Sequence, residues 1–133
     1  MKKRFIPKIG SLKLARAFID EVLNHYNSSS AIIDKAQIIT EEILTNIIKY
    51  GYCDAFNDSG LINLKLTTSD LNIIVLEFID TGSFFNPINY NYDLEKRDIG
   101  GMGIRIVQKL SKDMFYERKN DKNILTIYIS GQK

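Results

Sequence analysis

Cysteine, histidine and long apolar runs are scarce in this chain of 133 residues. Cys53 is the only cysteine, so no intramolecular disulfide can form. His25 is the only histidine, and without a Cys/His cluster there is no zinc site; it reads as a solvated residue near a helix end. Nowhere do about eighteen apolar residues run together, and the opening M-K-K-R-F-I-P lacks the apolar stretch of a signal peptide. A soluble, cytoplasmic protein with no membrane contact is therefore expected. Charge of one sign is also in short supply. Eighteen basic against sixteen acidic residues leave +2, too little and too scattered to argue for nucleic acid or an anionic membrane. What the chain does have is 44% hydrophobic residues within one domain's length, enough to fill a core, so residues 1–133 read as a single domain.

Periodicity supplies the elements. After a short basic lead-in that is open between loop and edge strand, Gly10-Ser11 opens a helix. Its Leu14, Ala15, Phe18, Val22, Leu23 and Tyr26 recur at helical spacing, and it ends near Asn27 in a run of serines. A second helix carries A-Q-I-I-T-E-E-I-L-T-N-I-I-K-Y and stops at Gly51, before a polar loop up to Gly60. The period then changes to two. Leu61 to Leu66 alternates and reads as a strand with one wet face. Leu71 to Ile79 is almost wholly apolar and reads as a central strand that ends at Asp80, the two being joined at Ser69-Asp70. Ile104 to Leu110 reads as a short helix. Met114 to Arg118 and Ile124 to Ser130 form a hairpin around Asn120-Asp121-Lys122-Asn123.

Two polar side chains on the second helix stand out. Glu42 and Asn46 are four residues apart and share a face, at the border of an apolar arc that includes Ile32, Ala36, Ile39, Ile43, Ile47 and Tyr50. At about 100° per residue, Glu41 turns to solvent while Glu42 and Asn46 reach a pocket between helix and sheet. Polar pairs at this spacing are common on plain surface helices, so the pair alone decides nothing.

The segment after the central strand adds the missing parts: F-I-D-T-G-S-F-F-N-P, a polar stretch, then I-G-G-M-G-I-R-I-V-Q-K-L. Asp80 at a strand end can accept a hydrogen bond from an exocyclic amine, and Gly82 lets the backbone come close to a flat ring. Gly100, Gly101 and Gly103 precede the short helix, whose first N–H groups can bind phosphate. The polar stretch from Ile88 to Ile99, bounded by Pro87 and glycines, reads as a lid. A P-loop is excluded because no Lys-Ser/Thr follows the glycines, and a Rossmann unit because no strand leads into them.

The ordered set of Glu-x-x-x-Asn on a helix, a strand ending in Asp-x-Gly, a polar lid, a glycine box, a helix and a closing hairpin resembles the GHKL (Bergerat-fold) ATPases. Within them the chain looks most like the anti-sigma-factor serine kinases of the RsbW and SpoIIAB type, over about Ile6 to Ile129. The resemblance implies an α/β (α+β) two-layer sandwich: a mixed, mainly antiparallel sheet of about four strands with three helices on one face. It implies Glu42 as general base, Asn46 as the ligand of Mg²⁺, Asp80 with Gly82 at the adenine of ATP, Thr126 as a second adenine contact, and Gly101 with Gly103 at the phosphates. Lys49 stands where relatives often have His and reads either as a phosphate contact or as a solvated lysine; Arg97 in the lid reads the same two ways. Tyr50 reads as an adenine neighbour or a core aromatic. The implied activity is transfer of the ATP γ-phosphate to a serine of a STAS-domain anti-sigma antagonist, with a sigma factor as a further partner and a homodimer as the assembly. An ATP-gated binding module and a sensor-kinase ATP-binding domain are the alternatives. The sensor kinase is disfavoured by the lack of a phosphoacceptor helix, and the binding module by the presence of Glu42, which binding alone does not need.

Overall fold

A computed structural model describes residues 1–51, 60–69, 72–88 and 99–131, the side chains of 51 and 99–102 excepted. Arg97, Cys53, Asp70 and all of the expected Ile88–Ile99 lid but its two end residues lie outside the described residues. Among the described residues the sheet has five strands, β1 (Lys2–Phe5), β2 (Ile62–Thr68), β3 (Ile73–Asp80), β4 (Asp113–Lys119) and β5 (Lys122–Ser130), in the order β1-β2-β3-β5-β4. Every pairing among them is antiparallel, in keeping with the mainly antiparallel sheet expected, without the parallel pairing that a mixed sheet allowed. The fifth strand is the basic lead-in. It adds to the free edge of β2 with Lys2 opposite Lys65 and Phe5 opposite Ile62, and the buried Phe5 anchors it. Met1 completes the edge by exchanging two backbone bonds with Leu66.

β3 is central, as its unbroken apolar run predicts, flanked by β2 and β5. Between β4 and β5 the chain reverses through Asn120 and Asp121, both at positive φ (52° and 59°), the two-residue turn whose twist suits a hairpin. Ile62, Leu64, Leu76, Phe78, Leu125 and Ile127 all point to one face and are almost wholly buried there. Truncating one of the large ones to alanine typically costs about 2–5 kcal/mol, so this face fixes the position of whatever packs on it.

Among the described residues three helices cover that face: α1 (Ser11–His25), α2 (Ser30–Asn46) and α3 (Ile99–Leu110). The serine run predicted as a break supplies the cap of α2, with the Ser29 hydroxyl accepting from the backbone N–H of Ile32 at 3.3 Å. Gln37 ties α2 to α1 by donating to the carbonyl of Arg16 and to Asp20 Oδ1, both at 2.8 Å. Two departures from the sequence reading concern the site. α2 does not run on as an α-helix to Gly51; Ile47–Gly51 is a turn of π-helix. And α3 starts at Ile99, so the glycines lie inside its first turns and not ahead of them. A glycine inside a helix costs up to about 1 kcal/mol against alanine, which calls for a reason of packing.

Candidate active site

The C-terminal end of α2 carries the first half of the site. Glu41 is exposed, Glu42 half-buried, and Asn46 sinks to 1% exposure, deeper than the border position read from the wheel. Among the described residues neither Oδ1 nor Nδ2 of Asn46 has a hydrogen-bond partner. An unpaired buried polar group costs about 1–3 kcal/mol, and such groups concentrate where a ligand supplies the missing bond. The π-turn begins at the next residue, a departure from regular helix that is common at functional sites.

Glu42 meets the glycine box directly. A Cβ built on Gly103 would overlap Glu42 Oε2 and lie 2.7 Å from its Cδ, so glycine lets this carboxylate rest against α3 where a larger residue would push it aside. This is the packing reason for a helical glycine at 103. Burial, reinforced by the like charge of Glu41, raises the pKa of Glu42 above the ordinary carboxylate value. Gly101 falls among the first-turn residues whose N–H groups lack intrahelical partners, whereas Gly103 stands beyond them.

The second half is built on Asp80, 3% exposed at the end of β3. Its Oδ1 accepts the backbone N–H of Gly82 and the Nδ2 of Asn123, each at 2.9 Å. Burial raises the Asp80 pKa, opposed by these two bonds and by the charge of Arg118. Arg118 Nη1 also donates to the carbonyl of Gly82 at 2.9 Å, holding the Asp-x-Gly turn from β4. Asn123 is buried as well, and accepts from the Tyr116 hydroxyl and from the backbone N–H of Phe85. Nothing in the sequence alone marks Asn123, Tyr116 or Arg118 as site residues, and Asn123 reads there as part of a turn. The usable signal was strand register, because the antiparallel β3–β5 ladder sets Asp80 opposite Asn123.

An aromatic pair bridges the halves. Tyr50 stacks on Phe85 with centroids 5.1 Å apart, and Lys49 Nζ lies 5.0 Å from the centre of the Tyr50 ring. Thr126 does not join them. It follows the buried Leu125 and precedes the buried Ile127, so its side chain is on the helix-free face of the sheet, opposite Phe115 and Glu77 and away from Asp80. The residues of β5 on the Asp80 face are odd-numbered, and Asn123 is the one of them hydrogen-bonded to Asp80.

Two carboxylates with raised pKa, a buried amide and a glycine-bearing helix start thus line one end of the helix–sheet boundary. A cleft of about 510 Å³ lies at the other end of β3, lined by Tyr26, Ser29, Thr68 and Asn72 among others, but it has no charged side chain. Among the described residues no three His, Cys, Asp or Glu side chains gather as a metal cage. The orphaned Asn46 oxygen nevertheless fits a hard cation such as Mg²⁺, which takes oxygen ligands and keeps several waters, with phosphates supplying the rest.

Comparison with known proteins bears on the fold and the family. No curated protein sequence matches the chain significantly. Among solved structures, the RsbU and RsbW domains of a Mycobacterium tuberculosis protein superpose with a TM-score of 0.70 at 14% identity, over 98% of this chain and 32% of that one. The histidine kinase domain of a blue-light activated kinase from Erythrobacter litoralis gives 0.57 at 18%, over 89% and 60%. The Acinetobacter baumannii histidine kinase AdeS gives 0.53 at 14%, over 100% and 68%. This chain spans only about a third and three-fifths of the first two, and at such identities the likeness is one of fold. Among the described residues no helix is long and apolar enough to cross a membrane. The sequence pattern of the histidine kinase-like ATPase domain, in contrast, matches residues 5–129, nearly the whole chain, and the protein belongs to that family of GHKL ATP-binding domains.

Proposed function

We propose that the protein is an ATP-dependent protein serine kinase of the anti-sigma-factor type, acting in the cytoplasm on a STAS-domain antagonist. A sigma factor is its second protein partner and a homodimer its working form. The observation that carries the reading is Glu42: a half-buried carboxylate of raised pKa, seated against Gly103 and one helical turn from the buried Asn46. A site that only binds ATP has no use for a base in that position. The similarity to the RsbW domain supports the choice of a serine kinase within the family.

In this scheme Asp80 accepts the adenine amine, with Gly82 beside the ring and Tyr50 with Phe85 along the path toward the phosphates. The first-turn N–H groups of α3, Gly101 among them, take phosphate oxygens. Gly103 seats Glu42, and Lys49 reaches a phosphate from the π-turn. Arg97 adds a further cation from the segment before α3. Asn46 would hold Mg²⁺, which when bound supplies neutralising charge to the phosphates. Glu42 removes the proton from the serine hydroxyl as its oxygen bonds to the γ-phosphorus. The bond from that phosphorus to the bridging oxygen breaks, and ADP leaves with the electron pair. A raised pKa suits the task, since a base whose pKa approaches working pH accepts a proton more readily. Incubation with γ-labelled ATP, Mg²⁺ and candidate STAS proteins tests the proposal: label on serine supports it, and nucleotide binding with neither transfer nor ADP formation replaces it with an ATP-gated binding module.

A further inference from the structure

We propose that Asn123 is the positioning residue for Asp80 and that, through it, the β4–β5 hairpin makes the site prefer a 6-amino over a 6-oxo purine nucleotide. This rests on the nucleotide reading above and adds to it the residues that enforce the choice of base. The argument begins with valences. A carboxamide has two N–H donors and an oxygen with two lone pairs. Asn123 uses all four: Nδ2 donates to Asp80 Oδ1 and to the carbonyl of Ser83, each at 2.9 Å, while Oδ1 accepts from Tyr116 and from the Phe85 N–H. Turned over, the amide would set its oxygen against the Asp80 carboxylate and the Ser83 carbonyl, two acceptors that offer it no proton, and its NH₂ against the Phe85 N–H. Only one orientation is satisfied, and the side chain is 3% exposed, so water cannot compensate for the other.

The consequence falls on Asp80. With the Gly82 N–H on one side of Oδ1 and Asn123 Nδ2 on the other, the carboxylate plane is set and both bonds end on the same oxygen. Oδ2 is then the acceptor offered to a ligand. A 6-amino purine meets it with a donor, and a 6-oxo purine meets it with a carbonyl, two acceptors facing each other at the cost of an unpaired polar group. Remove Asn123, and the carboxylate loses a restraint and a donor while staying buried. Of the other groups facing Asp80, Arg118 favours the charged form and the Tyr116 hydroxyl stays neutral, its own pKa raised chiefly by burial. Burial outweighs what remains, so Asp80 takes up a proton at a higher pH than before. Protonated, it donates and can satisfy the 6-oxo group it formerly rejected.

Calorimetric titration of ADP and IDP, at several values between about pH 5 and 8, into wild type, Asn123→Ala and Tyr116→Phe tests this. Wild type is expected to prefer ADP. In Asn123→Ala the ADP-to-IDP affinity ratio should fall by about tenfold, the loss of one well-made buried hydrogen bond, and the acid limb of ADP binding should move to higher pH. Tyr116→Phe removes one anchor of the amide without opening the turn and should shift both readouts the same way by less, which serves should the alanine variant not fold. A merely structural Asn123 would weaken both nucleotides together, leaving ratio and pH midpoint where they were, and that result overturns the proposal. Equal wild-type affinity for ADP and IDP overturns it too while sparing the nucleotide reading; wild type that binds neither overturns both.

Discussion

Gly103→Ala is the perturbation that separates a seat for the base from a contact to phosphate. The added methyl would overlap Glu42 Oε2 and lie 2.7 Å from its Cδ, where carbon atoms normally rest at about 3.5–4.0 Å, so the carboxylate must retreat by at least about 1 Å. The far end of a flexible side chain can do this, and the described glycines include none at positive φ, so the backbone tolerates alanine. Alanine gains up to about 1 kcal/mol of helix propensity, and a displaced Glu42 rotamer costs about 0.5–1.5 kcal/mol, so stability should change by no more than about 1 kcal/mol. Chemistry is less forgiving: a misplacement of about 1 Å in a reacting group costs on the order of 10²-fold in rate. Thermal denaturation, ADP calorimetry and single-turnover transfer on the same preparation read the three effects apart. Near-normal stability and affinity with transfer reduced about a hundredfold is the expected outcome. A folded variant that transfers at the wild-type rate would refute the seat, and one that loses nucleotide affinity while transferring normally once loaded would assign Gly103 to the phosphates.

Three further expectations follow from the same residues. Because Glu41 helps raise the Glu42 pKa and only ionised Glu42 can take a proton, transfer should fall with decreasing pH through a pKa above the usual carboxylate range, and Glu41→Gln should move that acid limb to lower pH; a pH–rate profile checks it. Asp80 has a folded pKa above its unfolded one, so it costs stability as pH rises through that window and above it. Asp80→Asn should therefore keep or raise the melting temperature of the nucleotide-free protein at neutral pH while weakening ADP by roughly tenfold to a hundredfold or more, the worth of a charged hydrogen bond of about 1.5–3 kcal/mol. Asn46→Leu removes an unpaired buried amide and should likewise stabilise the nucleotide-free fold, by up to about 1–3 kcal/mol, while abolishing any gain in nucleotide affinity on adding Mg²⁺; denaturation and calorimetry with and without the metal decide it.

Local features of the site were legible in the sequence and non-local ones were not. Helical spacing alone put Glu42 and Asn46 on one face and turned Glu41 to solvent, because both follow from the turn of a single helix. It could not give the depth of Asn46 or the π-turn after it, which depend on how α2 packs. Strand alternation held the information that Thr126 faces away, since Leu125, Ile127 and Ile129 mark the buried parity, and a shift of one residue flips a side chain to the other face. Asn123 was illegible for a different reason. Its role arises from pairing with Asp80, 43 positions away in sequence. The start of α3 is hidden in the sequence because glycines weigh against a helix locally, while the small size of Gly103 is what lets this helix approach Glu42.

The most direct measurement is single-turnover phosphoryl transfer from ATP to a STAS-domain serine by wild type and Glu42→Gln, with ATP affinity measured for both. The expected result is equal affinity and a transfer rate lower in the variant by about 10²- to 10⁴-fold, the usual worth of a general base. Transfer by Glu42→Gln at the wild-type rate would contradict the assignment of Glu42 as the base.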